Sequence, residues 1–121
     1  MNFWQRRKVL KGVNYLELTP LRRYGFEQDE QKIVTILVPR FENKVLKNIS
    51  GSIKKTQFVN FKLDTTGSQT WLLISGEATV QDICNELKAI MGEGFVECEE
   101  RVSKFLTQLY LNKFISFKEI E

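Results

Sequence analysis

Histidine is absent from this chain of 121 residues. That excludes a Ser-His-Asp triad, a Cys-His pair, a histidine metal ligand and an imidazole acid/base at neutral pH. Cysteine is scarce, with only Cys84 and Cys98. Two thiolates are too few for a thiolate zinc site, and in a reducing compartment they read as small core hydrophobes. No apolar run approaches the ~18–20 residues of a membrane span, and no apolar signal-peptide core follows the basic start. The expected address is therefore the cytoplasm. Enough apolar material is present for a core: 42% of residues are hydrophobic and 12% aromatic, against 27% charged, unlike a disordered chain.

The net charge of +3 conceals a polarity along the chain. Residues 1–63 carry 13 Lys/Arg against 5 Asp/Glu, and residues 64–121 carry 5 against 10. A basic half suits nucleic acid, an anionic membrane or an acidic peptide, and the acidic half beside it weakens the first of these. Residues 1–14 form a basic arm tipped by Phe3 and Trp4, with Arg6, Arg7, Lys8 and Lys11 behind them. It reads either as an amphipathic element touching anionic surfaces or as a loosely ordered terminus with solvated charges. Two turns of helix are marginal alone, so the second reading is the expectation.

Tyr15–Leu18, ending before Pro20, reads as an edge strand or an extended docking segment. Arg22–Glu27 and Ile33–Val38, separated by Gln28-Asp29-Glu30-Gln31, read as a hairpin. Ile33–Val38 is apolar on both faces and should be the best-buried strand, stopped by Pro39. Residues 41–56 read as irregular. Residues 58–63 alternate, with Val59, Phe61 and Leu63 toward the core and Phe58, Asn60 and Lys62 away from it. Three helices follow. Asp64 caps the first, which runs to about Ile74, with Gly76 at its end; Thr79 caps the second, with Asp82 at its third position. The third starts near Val96 and buries Cys98, Val102, Phe105, Leu106 and Leu109. Phe114–Phe117 is a candidate last strand.

The chemistry that remains is binding. Gly92 and Gly94 follow a helix rather than a strand, so they form no phosphate-binding fingerprint. Glu97, Glu99 and Glu100 sit where acids favour a helix dipole, and they read as surface rather than as a cation site. No carboxylate pair has a companion for acid/base work, so no enzyme, cofactor or metal is expected. Three helices beside a small sheet outline a winged helix-turn-helix, but an acidic start to the third helix would repel phosphate.

Asp64-x-x-Gly67-Ser68-x-x-Trp71, Gly76-x-x-Thr79-Val80-x-x-Ile83-x-x-x-Leu87, Phe105-Leu106-x-x-Leu109 and Phe114-Ile115 resemble the PqqD family (coenzyme PQQ synthesis protein D) over about 57–117. Ser75 stands where the family pattern often has an acid. The resemblance implies an α+β, winged-helix-like fold: about three N-terminal strands in a small antiparallel sheet, then a three-helix bundle. It implies one such domain at 21–121, with 1–20 a basic extension. It also implies an adaptor that binds a precursor (leader) peptide by strand addition and presents it to a modifying enzyme, often a radical SAM protein. From the residues themselves, Phe58, Val59, Asn60, Phe61 and Lys62 supply the edge for such a strand, and Arg101, Lys104, Phe105 and Gln108 lie along the facing flank of the third helix. The groove expected between them has an apolar floor and a basic rim. The alternatives are a winged-helix nucleic-acid binder and a self-associating module.

Overall fold

The computed structural model describes residues 2–11, 14–39, 58–92 and 97–120. The stretch 41–56, Gly94, Val96 and the side chain of Phe58 lie outside the described residues. The order is α1 (Phe3–Leu10), a 3-10 turn (Tyr15–Glu17), β1 (Pro20–Arg22), β2 (Phe26–Gln28), β3 (Val34–Pro39), β4 (Phe58–Lys62), α2 (Thr65–Leu72), α3 (Val80–Met91), α4 (Cys98–Leu111) and β5 (Ile115–Phe117). The α+β expectation holds. The arrangement differs from it in detail, because the described strands form two sheets: β2-β3-β4 and a ribbon of β1 with β5, both antiparallel.

The hairpin forms where the polar break predicts it. The Asp29 carboxylate accepts from the N–H of Gln31 and of Ile33, both at 2.9 Å, and so stabilises the turn. Arg22–Glu27 is not one strand. The chain bends at Tyr24-Gly25, sending β1 to pair with β5 and β2 to pair with β3. Tyr15–Leu18 is not a strand either: it closes a 3-10 turn, after which Leu18 is buried and its carbonyl accepts from Val80 N at 2.9 Å. In β3, Val34 and Ile36 are fully buried while Ile33, Thr35, Leu37 and Val38 are half-buried, so one face is sealed rather than two.

Helix starts follow their caps. Asp64 accepts from Gly67 N at 2.7 Å, and Thr79 and Asp82 form a reciprocal capping box. α4 begins at Cys98, later than Val96, behind Glu97 in the left-handed region. It ends with Lys113 at φ 67, Phe114 N bonded to Leu109 O and Lys113 N bonded to Tyr110 O, the pattern of a Schellman motif. The core gathers Trp71, Tyr110, Phe117, Ile36, Ile74, Ile83, Leu87 and Leu106. Cys84 and Cys98 are both free and buried. Burial, above all, pushes the Cys84 thiol up to about 12, so it stays protonated and unreactive.

In the basic arm Arg7, Lys8 and Lys11 are exposed as expected, whereas Arg6 is not. Asn2 and Gln5 bond reciprocally at the start of α1. Arg6, only 3% exposed, lies with its guanidinium 4.5 Å from the centre of the Tyr110 ring and donates to the Tyr110 carbonyl at 2.9 Å. That carbonyl belongs to the last turn of α4, where the helix dipole favours a cation. Further along, Thr19 N and Oγ1 both donate to the Glu119 carboxylate at 2.7 Å. Partial burial alone would raise the Glu119 pKa; the two bonds from Thr19 outweigh it and hold it below the ordinary carboxylate value. Arg6→Ala is expected to remove a ring contact and a charge-assisted bond together worth about 2–3 kcal/mol. Faster amide exchange in α1 and faster tryptic cleavage after Arg7 and Lys8, with the core helices unchanged, check it.

Candidate functional site

β4 is one of the two outer strands of the described three-stranded sheet, and the ladder fixes which of its main-chain groups face outward. Leu63 N donates to Val34 O, so Val34/Leu63, Ile36/Phe61 and Val38/Val59 are the hydrogen-bonded pairs of β3 with β4. Leu37 N donates the other way, to Gly25 O, as the alternation requires. The N–H and C=O of Phe58, Asn60 and Lys62 therefore point away from β3, toward an edge with no strand partner among the described residues. Pro39 fits the same rule: it stands opposite Phe58, at a position where β4 asks β3 for no donor.

The side chains alternate as expected, with one difference in degree. Asn60 and Lys62 are exposed and Val59 is half-buried. Phe61 shares the core face with Ile36 and Phe26 through the register, yet it remains 41% exposed because it sits at the sheet margin. Its ring rests on Phe114 at 4.9 Å, and Phe114 meets Tyr24 edge-on at 6.1 Å. The Schellman turn at the end of α4 places Phe114 in that position.

At the other end, two residues past β4, Asp64 joins Thr66, Gly67, Thr70, Arg101, Val102 and Phe105 around a cleft of about 160 Å³. Glycine is needed at 67. A Cβ there would lie 2.9 Å from Asp64 Oδ1 and 3.3 Å from Phe105 Cζ, disturbing the α2 cap and the cleft wall together. β4 thus meets the turn after α4 through Phe61 and Phe114, and the residues that follow β4 share a cleft with Arg101, Val102 and Phe105 of α4.

Of the nine residues read from the sequence, Arg101 and Phe105 share a cleft, Phe61 rests on Phe114 just past the end of α4, and Asn60 and Lys62 are exposed on the strand. Lys104 and Gln108 are exposed on α4. The cations expected to rim the groove, Lys62, Arg101 and Lys104, are all exposed, and the cleft that Arg101 lines also takes in Asp64. Sequence reasoning missed Asp64 as a cleft residue, because its capping role accounted for it, and missed Phe114 and Tyr24, because only the Schellman turn and the bend at Gly25 bring them to Phe61.

Glu99, one of the acids at the start of α4, pairs with Lys88 of α3. That bond is the main reason its carboxyl lies below the usual range. Among the described residues, no three His, Cys, Asp or Glu side chains cluster as metal ligands, and no helix is long and apolar enough to cross a membrane. Compared with known families, residues 57–115 match the model of coenzyme PQQ synthesis protein D (PqqD). No curated protein and no solved structure matches the chain.

Proposed function

We propose, from the match of residues 57–115 to the PqqD model, that this chain is a PqqD-family protein: a non-catalytic cytoplasmic adaptor that binds a precursor peptide by strand addition and presents it to a modifying enzyme. The biosynthesis served is that of PQQ or of another ribosomal peptide, and the enzyme proposed as partner is a radical SAM protein. The observation that carries the reading is the outer edge of β4, where the main-chain groups of Phe58, Asn60 and Lys62 face away from β3. A peptide added there gains main-chain hydrogen bonds for affinity and side-chain contacts for selection. Phe61 and Phe105 supply apolar contacts, Asn60 and Gln108 polar ones, and Lys62, Arg101 and Lys104 charge for acidic side chains of the peptide. The domain is taken as winged-helix-like over 21–121, with 1–20 an extension laid against it.

Affinity capture tests this. The immobilised chain is incubated with a nuclease-treated lysate of the cells that make it, and bound material is identified by mass spectrometry. The expected result is a short ribosomal peptide, with or without its modifying enzyme, retained at moderate salt because main-chain bonds dominate. Recovery of neither, or of material lost on the order of 10³-fold between low and moderate salt as phosphate contacts are, overturns the adaptor reading.

A further inference from the structure

The second surface lies on α1 and is independent of the peptide edge. Arg6 is buried and Leu10 packs against the core, so this face of the helix is used for docking. Trp4, Arg7, Lys8 and Lys11 recur at the spacing i, i+3, i+4, i+7 and so occupy an arc of about 100° on the opposite side. All four are exposed, Trp4 at 73%. No acidic residue occurs before Glu17. The docked helix and the turn that follows it, where Lys11 lies, thus hold an indole and three cations in one row on a convex surface.

We infer that this row docks on an anionic phospholipid surface. A convex helix face offers no groove to an extended peptide, but it meets a plane along its whole length. An indole favours the depth of the lipid headgroups, and lysine and arginine beside it pair with phosphates. Each cation near an anionic leaflet contributes about fivefold to partitioning, so three contribute on the order of a hundredfold. Arg6 keeps the helix on the domain while the row engages, so the peptide edge is carried to the membrane surface without a spanning segment.

The test uses the full chain with vesicles of phosphatidylglycerol mixed with phosphatidylcholine, and with vesicles of phosphatidylcholine alone. Sedimentation measures partitioning and tryptophan emission reports contact. Trp71 is fully buried, so a vesicle-dependent blue shift belongs to Trp4. Anionic vesicles are expected to bind the chain and shift its emission at low salt, more weakly as salt rises, and neutral vesicles to do neither. The triple variant R7Q/K8Q/K11Q should lose binding on the order of a hundredfold with unchanged melting because these side chains are exposed, and W4S should weaken it. The inference is overturned by absence of binding to anionic vesicles at low salt, by undiminished binding of the triple variant, or by a homopolymer RNA that displaces the chain from vesicles at equal charge.

Discussion

Replacing Asn60 by proline is expected to lower affinity for the captured peptide by about one to two orders of magnitude while leaving the chain folded. The hydrogen-bonded pairs of β3 with β4 fall at Val59 and Phe61, so the Asn60 N–H faces outward and the native ladder does not use it. Proline at such an edge position is tolerated by the sheet. To an incoming strand it presents a ring in place of a donor, a loss of about 1–3 kcal/mol. Phe61→Pro is the control: its N–H belongs to the inner ladder, and the same substitution one residue along should cost about 3 kcal/mol or more of stability. Amide exchange gives a second check without mutation. Bound peptide should protect the amides of Phe58, Asn60 and Lys62 and leave those of Val59 and Phe61 as they were. Protection of all five equally, or full affinity in Asn60→Pro, would place the peptide elsewhere.

Trp71→Ala should be the most destabilising single substitution in the helical core. The indole is fully buried in α2, with the Phe26 ring edge-on at 6.1 Å and an interplanar angle of 80°. Emptying that volume costs about 3–5 kcal/mol, a large share of the ~5–15 kcal/mol that stabilises a domain. A drop in melting temperature of roughly 10–20 °C is expected in calorimetry. Trp71→Phe should cost much less than its loss of volume suggests, because the indole Nε1 is buried without a hydrogen-bond partner, and removing an unsatisfied donor offsets part of the cavity. If the two variants melt together, the ring fills no space that its neighbours cannot close.

Much of this was legible in local sequence. Asp64 and Thr79 announce their helices because a cap acts within three residues. The period-two pattern separates exposed Asn60 and Lys62 from half-buried Val59 and Leu63, with Phe61 more open than expected, and both cysteines are core residues as expected. What failed to show was set by distance along the chain. Nothing near Pro20–Arg22 says that its partner is Ile115–Phe117. Nothing near Arg6, flanked by charges and favoured by no apolar stripe, says that Tyr110 will bury it. The site divides in the same way: the edge strand was visible in alternation, whereas Phe114 and Asp64 join it only through a helix-ending turn and a cap whose local roles hid their second ones.

The Arg6–Tyr110 bond and the Thr19–Glu119 pair join residues 104 and 100 positions apart. Such closures make the early segment dependent on the late one during synthesis. At about 5–20 residues per second, α1 and β1 leave the ribosome roughly 5–20 s before their partners exist. Neither can reach its native place while the chain is growing, and the long-range pairing slows the final step. Over that interval the row from Trp4 to Lys11 is already outside the ribosome with its anchor missing, so whatever it meets first meets it before the domain has closed.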